Sequence, residues 1–334
     1  MAFIDNIYKK AKENKQRVVV PECTNPNMMR SAVKAAEDGL ADVIFVGDAE
    51  TCKKVAAENE IDLSKVKIAD IYDTAYQEEL VERYGQLPKK VLGKKSVAKR
   101  ITTPLYMALV MEAVGDADCT FGGLDTTTAD FVMAAQGVLG LADGVKAPSG
   151  MLMMEIEDYK GGQGNIFGMS DGAVNTEPTS EILSGIAISC CDTFTALTGQ
   201  TSKCAFLSYS TDGSGNSPSV ERVRDAVKMA QLARTDLLID GEFQADAAIV
   251  ERVAKKKVKR ESKVAGQANV LVFPDAAACN IATKLIQQFA PGQSYGPIYQ
   301  GFGKPVLDCS RGDTEERIYN NFAFCSVMAA GVGK

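Results

Sequence analysis

The chain has 334 residues, enough for two domains, and its content of 46% hydrophobic and 24% charged residues excludes global disorder. Its net charge of −6 argues against nucleic acid as a main partner, and its apolar runs are too short to span a membrane. Histidine is absent, which excludes a Ser-His-Asp triad, a Cys-His pair and any histidine-based metal site.

The nine cysteines are odd in number, and no two of them form a Cys-x-x-Cys pair. This usage favours reduced thiols in a cytoplasm over a disulfide framework. Residues 1–12 form an amphipathic helical pattern, which lacks the apolar core and cleavage site of a signal peptide.

Strand and helix patterns alternate along the chain. The predicted strands are residues 17–21, 42–47, 66–68, 118–121, 151–156, 165–170, 204–209, 237–241, 269–274 and 305–307. The predicted helices are residues 28–36, 49–59, 74–83, 104–111, 178–197, 218–233, 246–255 and 277–289, with further helices starting near 129 and after 313. Such alternation predicts an α/β fold with a mostly parallel sheet.

Two segments are rich in lysine. Residues 86–99 are polar and basic, and we predict a solvated loop there. Residues 255–260 hold five basic residues in six, and we predict a mobile surface loop.

Three polar turns follow predicted strands, at residues 122–128, 208–215 and 309–313. Ligands of parallel sheets bind beyond the carboxyl ends of the strands, so these turns are the natural place for a site. The first turn is rich in glycine and carries three adjacent hydroxyls, on Thr126, Thr127 and Thr128. Its backbone N–H groups and hydroxyls suit a phosphate, although an ordinary capped turn has the same pattern.

The last turn places Ser310 and Arg311 between a short apolar strand and a helix, with Asp313 or Thr314 as the expected N-cap. A guanidinium there can hold a phosphate or carbonyl oxygen with two hydrogen bonds. A helix-capping turn with a surface arginine explains the same residues. Cys309 as a nucleophile is a weaker alternative, because cysteine at the end of an apolar strand usually belongs to the core.

At these turns the sequence resembles the phosphate acetyltransferases (phosphotransacetylases) of the short form, over essentially the whole chain. The residues that carry the resemblance are LSYST at 207–211 with Gly213 and Ser214, DGEFQADAA at 240–248, VAGQANV at 264–270, FPD at 273–275, YGPIYQG at 295–301 and DCSRG at 308–312.

The resemblance implies a two-domain α/β fold like that of isocitrate and isopropylmalate dehydrogenases. The first domain would comprise residues 1–144 plus 298–334, and the second residues 145–297, with the active site in the cleft between them. A homodimer is also implied.

The resemblance further implies reversible transfer of an acetyl or other short acyl group between coenzyme A and phosphate. Coenzyme A, acyl-CoA, phosphate and acyl phosphate are then substrates, and no metal or permanently bound cofactor is expected. Ser310 would contact the coenzyme A thiol, and Arg311 would neutralise charge at the carbonyl or phosphate. The residues expected to bind substrate or coenzyme A are Thr126, Thr127, Thr128, Ser208, Tyr295, Gly296, Pro297, Gln300 and Gly301.

Three positions depart from the family pattern. Arg317 stands where the family has the aspartate proposed as the base, so Asp313 or Glu316 becomes the candidate. Met133 and Pro88 stand where two substrate-site arginines are expected, with Lys89 or Lys90 able to compensate at the second position.

These departures leave further hypotheses open. The acyl group or the acceptor can differ from acetate and phosphate. The chain can also be an altered or inactive paralogue that binds coenzyme A or acyl-CoA. A dehydrogenase of similar fold is a weaker alternative, since no Gly-x-Gly-x-x-Gly follows the first strand.

Overall fold

The computed structural model describes residues 2–331, and the chain divides into two compact units. Unit 1 consists of Met1–Ala142 and Phe302–Lys334, and unit 2 consists of Asp143–Gly301. The predicted divisions, after residues 144 and 297, lie two and four residues from these. Residue 1 of the predicted first helix and residues 332–334 of the predicted first domain lie outside the described part of the chain.

Unit 1 contains a parallel sheet of five strands in the order β11-β4-β1-β2-β3. The strands are β1 (Gln16–Val20), β2 (Ala41–Gly47), β3 (Lys67–Asp70), β4 (Cys119–Gly122) and β11 (Val306–Asp308). The helices are α1 (Phe3–Glu13), α2 (Pro26–Glu37), α3 (Ala49–Glu58), α4 (Thr74–Gly85), α5 (Lys94–Arg100), α6 (Pro104–Ala113), α7 (Thr128–Leu139) and α13 (Glu315–Gly331).

Side chains at the strand ends start several helices of unit 1. The residues whose side-chain oxygen accepts a backbone N–H in the first turn of the next helix are Asn25, Asp48, Asp73 and Thr127. Such caps satisfy N–H groups that have no partner inside a helix, and each stabilises the helix by about 1 kcal/mol. Polar residues therefore mark the carboxyl edge of the sheet.

Helix α13 packs into the core of unit 1 although it comes last in the chain. The ring of Phe322 meets the ring of Phe121 edge to face, with 5.0 Å between centroids. The Ser326 hydroxyl donates to the carbonyl oxygen of Leu40 at 2.6 Å. Ile318, Phe322 and Cys325 are fully buried, and Ala329 on the same helix is half-buried.

Unit 2 contains a mixed sheet of six strands in the order β10-β5-β6-β9-β7-β8. The strands are β5 (Ser149–Ile156), β6 (Ile166–Ser170), β7 (Lys203–Leu207), β8 (Leu238–Phe243), β9 (Val270–Val272) and β10 (Gly292–Gln300). The helices are α8 (Ser180–Thr198), α9 (Pro218–Ala233), α10 (Ala245–Ile249), α11 (Glu251–Lys257) and α12 (Ala276–Phe289). Strand β5 runs antiparallel to both of its neighbours, β10 and β6, and the other three pairings are parallel. The five strands other than β5 therefore run in one direction and share one carboxyl edge.

The predicted α/β fold with mostly parallel sheets is confirmed, and three local predictions were wrong. Residues 86–99 do not form one loop, because α5 begins at Lys94. Strand β10 was missed, and the predicted domain boundary at 297 lies inside it. Residues 255–257 belong to α11, and Arg260 is held by ion pairs with Asp212 and Asp240. Among residues 2–331, no helix is both long and apolar enough to cross a membrane.

Candidate active site

The glycine-rich turn after β4 is organised around a buried carboxylate. Glu22 follows Pro21 at the end of β1, the strand next to β4, and is only 5% exposed. Its Oε1 atom accepts hydrogen bonds from the N–H groups of residues 123, 125 and 126 at 2.9, 3.1 and 3.0 Å. Its Oε2 atom accepts from the N–H group of Leu124 at 2.8 Å. The backbone N–H groups that the sequence led us to expect at a phosphate therefore donate to the side chain of Glu22 instead.

The hydroxyls of this turn also have partners within the chain. Thr127 caps α7: its Oγ1 accepts from the N–H group of Asp130 at 3.2 Å and donates to the carboxylate of Asp130 at 2.6 Å. Thr128 donates from Oγ1 to Oδ2 of Asp308 at 2.7 Å. Both threonines are exposed, so their remaining hydrogen-bonding capacity faces outward.

The turn after β11 lies directly beside the turn after β4. Asp308 and Gly122 face each other in the parallel pairing of the two strands, and the N–H group of Cys309 donates to the carbonyl oxygen of Gly122 at 2.8 Å. Gly123 has φ +112°, and a Cβ atom there would lie 1.7 Å from Oδ1 of Asp308. Only glycine fits at this position, because a side chain would collide with the neighbouring turn.

Ser310 and Arg311 are exposed on a tight turn. Oδ2 of Asp313 accepts from the N–H group of Ser310 at 2.9 Å, and the N–H group of Asp313 donates to the carbonyl oxygen of Ser310 at 2.9 Å. Thr314 is the N-cap of α13, since its Oγ1 accepts from the N–H group of Arg317 at 3.4 Å. Asp313 therefore fixes the turn that presents Ser310 and Arg311 to solvent.

The two candidate bases occupy different places. Asp313 shares its turn with Ser310, and its Oδ1 atom lies 3.5 Å from Nη1 of Arg317. Glu316 is exposed in the first turn of α13, and its negative charge adds to burial in raising the pKa of Tyr8, on α1, to about 12. The structure therefore associates Asp313, and not Glu316, with the serine.

Cys309 does not have the properties of a nucleophile. Its side chain is 4% exposed, and its thiol lies 3.2 Å from the carbonyl oxygen of Gly122. Burial and the nearby negative charges of Glu22 and Asp308 raise the pKa of the Cys309 thiol. A buried neutral thiol is a core residue, so the weaker alternative from the sequence is not supported.

The departures at Met133 and Pro88 lie on the surface of unit 1. Met133 is 64% exposed on α7, an unusual exposure for a large apolar side chain. Pro88 and the two lysines that follow it are exposed, and the ammonium of Lys90 donates to the carbonyl oxygen of Leu87 at 3.1 Å.

The polar turn of unit 2 begins at Ser208, directly after β7. The N–H group of Ser208 donates to the carbonyl oxygen of Phe243 at 2.9 Å, and its Oγ accepts from the N–H group of Ser210 at 3.2 Å. Ser208 is half-buried, whereas Tyr209 beside it is 60% exposed. The turn is thus fixed to the end of β8 and exposes an aromatic ring.

A second buried carboxylate holds this turn from the inside. Glu242 is 3% exposed and accepts hydrogen bonds from the Ser210 hydroxyl at 2.6 Å and from the Gly213 N–H group at 3.1 Å. Arg224 binds both of its oxygens, at 2.9 and 3.0 Å. Burial alone would raise the pKa of Glu242, but the bonds from Arg224 and Ser210 outweigh burial and lower it to about 2.

The remaining predicted residues lie on β10. Its pairing with β5 is interrupted between Tyr295 and Ile298, where Gly296 and Pro297 are located. The Tyr295 hydroxyl donates to Oε2 of Glu155 at 3.3 Å. At this irregularity Gly296 is exposed and Tyr295 and Pro297 are half-buried, whereas residues 298–300 are buried.

Gln300 points into unit 2. It is 5% exposed, and its Nε2 atom donates to Oγ of Ser149 at 3.1 Å and to Sγ of Cys190 at 2.9 Å. Gly301 follows with φ +86°, where a Cβ atom would lie 3.0 Å from the side chain of Val145. Gln300 therefore fixes the end of β10 from inside.

The predicted residues form separate groups within each unit. In unit 1, Ser310, Arg311 and Asp313 lie beside the turn that carries Thr126, Thr127 and Thr128. In unit 2, β10 and β7 are four strand positions apart, which is about 19 Å at about 4.8 Å per step. Ser208 and Gln300 therefore lie at one sheet edge without forming one cluster.

Comparison with known proteins decides the family. Residues 2–326 match the family described as Phosphate acetyl/butaryl transferase. The chain belongs to this family. A phosphate acetyltransferase from Clostridium acetobutylicum is 38% identical over 330 residues, which covers 98% of this chain and 99% of that one.

Two solved phosphotransacetylase structures have a similar fold. The EutD phosphotransacetylase from Staphylococcus aureus has a TM-score of 0.88 at 29% identity and covers 98% of both chains. A phosphotransacetylase from Streptococcus pyogenes has a TM-score of 0.87 at 30% identity, with the same coverage.

For this family member, sequence reasoning missed the two carboxylates that build the turns. Glu22 is a single acidic residue after a strand-ending proline, and the amides that it binds are about a hundred positions further along the chain. Glu242 lies in one of the sequence blocks that carried the resemblance, but the block does not reveal that its side chain turns inward.

Proposed function

We propose that this chain catalyses the reversible transfer of an acetyl group between coenzyme A and phosphate. The observation that carries the proposal is the match over 98% of the chain to a phosphate acetyltransferase at 38% identity. The exposed Ser310 and Arg311, on a turn fixed by Asp313, support it because they offer a hydroxyl and a cation to an incoming substrate.

In the direction of acetyl-CoA formation, the coenzyme A thiol loses its proton and the thiolate sulfur attacks the carbonyl carbon of acetyl phosphate. A tetrahedral intermediate forms, the C–O bond to phosphate breaks, and inorganic phosphate leaves. We assign the contact with the thiol to Ser310. Arg311 stabilises the negative charge that develops on the carbonyl oxygen and on the leaving phosphate.

Asp313 is our candidate for the group that accepts the thiol proton. A thiol has a pKa of about 8.5, so a carboxylate beside it needs to give only modest help. Two observations support Asp313 over Glu316: its hydrogen bonds to the backbone of Ser310, and the position of Glu316 beside Tyr8. The neighbouring cation of Arg317 can in addition favour the thiolate form of coenzyme A by its charge.

The other expected contacts remain proposals. In unit 1, Thr126, Thr127 and Thr128 offer hydroxyls beside the Ser310 turn. In unit 2, Ser208 and the β10 residues Tyr295, Gly296, Pro297, Gln300 and Gly301 are expected to bind coenzyme A. The cleft expected between the two domains stays a prediction from the resemblance.

The test is acetyl-CoA formation from acetyl phosphate and coenzyme A, measured with the unmodified protein and with Ser310→Ala and Arg311→Ala. We expect both variants to lose on the order of a hundredfold or more in kcat, as is usual when a transition-state contact is removed. Arg252→Ala, which removes an exposed arginine of α11, is the matched control and should retain full activity. Equal activity of Arg311→Ala and the unmodified protein would overturn the assignment.

A different acyl group or acceptor is the second candidate. The observation that favours it is Met133, an apolar side chain that is 64% exposed on the helix after the threonine turn. Thiol release from acetyl-, propionyl- and butyryl-CoA, with and without phosphate, separates the alternatives. Binding of coenzyme A without turnover of any acyl form would indicate a non-catalytic paralogue.

We also propose that the protein forms a homodimer. Helix α12 exposes an apolar stripe in which Ile281, Leu285 and Phe289 are 60%, 48% and 82% exposed. These residues are spaced four apart and therefore share one helix face, which a partner subunit can cover. Sedimentation should give a dimer for the unmodified protein and a monomer for Leu285→Asp. A cytoplasmic location is consistent with the nine cysteines, which are buried and form no disulfide within residues 2–331.

A further inference from the structure

Glu22 provides an internal anion for a cradle of backbone amides. Four consecutive N–H groups, from residues 123–126, converge on its carboxylate at 2.8 to 3.1 Å. Successive N–H groups that point inward are a recognised way of binding phosphate and other anions. In this chain the cradle is closed by a carboxylate that is 5% exposed and belongs to the neighbouring strand.

This arrangement determines the shape of the turn. A carboxylate that accepts several N–H groups at once forms charge-assisted bonds, which are stronger than bonds between neutral groups. Without it, four backbone donors would lose their common acceptor, in a segment whose Leu124 is buried. The conformation of residues 123–126 therefore depends on Glu22.

The same turn supports the neighbouring Ser310 turn. Gly123 lies against Asp308 and the carbonyl group of Cys309, so closely that no Cβ atom fits. Two residues after the cradle, the Thr128 hydroxyl donates to Asp308 at 2.7 Å, and the N–H group of Cys309 donates to the carbonyl oxygen of Gly122 at 2.8 Å. A shift of the cradle is consequently transmitted to the residue that precedes Ser310.

We propose that Glu22 is a positioning residue for acyl transfer, which holds the threonine turn and, through Asp308 and Cys309, the Ser310 turn in their working geometry. This inference rests on the proposed function. It also implies that the substrate phosphate is not bound by the amides of residues 123–126, since Glu22 already occupies them. The substrate instead meets the exposed hydroxyls and Arg311.

The first test compares the kinetics of Glu22→Ala and Glu22→Gln with those of the unmodified protein. We expect kcat of Glu22→Ala to fall about tenfold to a hundredfold, because a displacement of about 1 Å at reacting groups costs on that order. The KM for coenzyme A should change much less, because the contacts proposed in unit 2 are untouched. Glu22→Gln keeps an acceptor for part of the cradle and should give an intermediate kcat.

The second test is rescue by formate, a carboxylate small enough to enter the space vacated in Glu22→Ala. Formate should raise both kcat and the thermal midpoint of this variant, without raising either for Glu22→Gln or the unmodified protein. The thermal measurement requires no activity. If the unmodified protein fails to transfer acetyl groups, the proposed function is wrong. Stabilisation of Glu22→Ala by formate would still show that the cradle needs a carboxylate.

Asp48→Ala is the matched control for stability. Asp48 also accepts backbone N–H groups at the carboxyl edge of this sheet, where it caps α3, but it does not contact residues 123–126. Removal of the Asp48 carboxylate should lower the thermal midpoint and leave kcat of the folded protein unchanged. If Glu22→Ala behaves in the same way, with kcat retained and no response to formate, Glu22 is only structural and the proposal is wrong.

Discussion

Thr128 donates a hydrogen bond to Asp308 across 2.7 Å, and this bond joins the first turn of α7 to the end of β11. The two residues are 180 positions apart in the sequence. Asp308 is 4% exposed, so its carboxylate depends on partners of this kind. The bond connects the two turns that carry the threonines and Ser310.

Replacing Thr128 with Val should destabilise the protein and lower its kcat for acetyl transfer. The variant removes a donor from a buried carboxylate, which costs about 1.5–3 kcal/mol for a hydrogen bond to a charged group. Urea unfolding measures the first effect, and kcat for acetyl transfer measures the second. Thr128→Ser keeps the hydroxyl and should restore most of both. A Val variant as stable as the unmodified protein would show that the bond contributes little.

Glu112→Gln should flatten the pH dependence of stability in neutral solution. Glu112 is fully buried in α6, and burial raises its pKa from 4.5 to about 8, although Thr120 donates to its Oε2 atom at 2.6 Å. A raised folded-state pKa gives stability that is complete below the unfolded value and is lost as pH rises through the folded value.

The loss should therefore extend from about pH 4.5 to about pH 8, with a slope of at most about 1.4 kcal/mol per pH unit. Glutamine has no proton to lose and should remove this contribution. The measurement is the urea midpoint of both proteins at pH 6 and pH 8.5. The same decline in both proteins would assign the effect to another group.

Glu242→Gln should destabilise unit 2 at neutral pH and weaken its sensitivity to acid. The pKa of Glu242 is lowered to about 2, because the bonds from Arg224 and Ser210 outweigh burial. A lowered folded-state pKa gives stability that is present above the unfolded value of 4.5 and is lost as pH falls toward about 2.

The neutral variant leaves Arg224 without its charged partner, and breaking a pair of this kind costs about 3 kcal/mol. Denaturant unfolding at pH 7 and at pH 3 measures both effects. The difference between the two proteins should be large at pH 7 and smaller at pH 3. An equal difference at the two pH values would contradict the assigned ionisation.

Met133→Arg should tighten phosphate binding without a cost in stability. Met133 is 64% exposed, so an arginine can replace it without burying a charge. The expected result is a severalfold lower KM for phosphate at saturating acetyl-CoA. Met229→Arg, at a 40% exposed methionine of α9, is the matched control and should leave the KM unchanged. Saturation of the unmodified protein at sub-millimolar phosphate would show that the missing arginine is already compensated.

Local sequence patterns were sufficient to predict the strand and the helix on either side of the Ser310 turn. The apolar residues before Asp308 and the polar turn after it predicted a strand, a turn and a helix, and these were found. Helix α5 was missed because its lysines suggest a solvated loop, whereas an exposed short helix has the same composition. Strand β10 was missed because Gly296 and Pro297 interrupt its pattern, at the place where its pairing is irregular.

The internal partners of the turns could not be predicted in this way. The bond between Glu22 and the amide of Gly123 spans 101 positions, and the bond between Ser210 and Glu242 spans 32. Such pairs depend on which strands become neighbours, and the alternation of strands and helices does not determine that order. The sequence therefore indicated the donors of the first turn, but not the acceptor that occupies them.

The division of unit 1 between the two ends of the chain has a consequence for biosynthesis. Residues 143–301 are complete before the ribosome has translated β11 and α13, so unit 2 can fold on the nascent chain while unit 1 still lacks an edge strand and a core helix. Ser310 is added only after the whole of unit 2. A growing polypeptide therefore cannot assemble the serine turn before unit 2 has been translated.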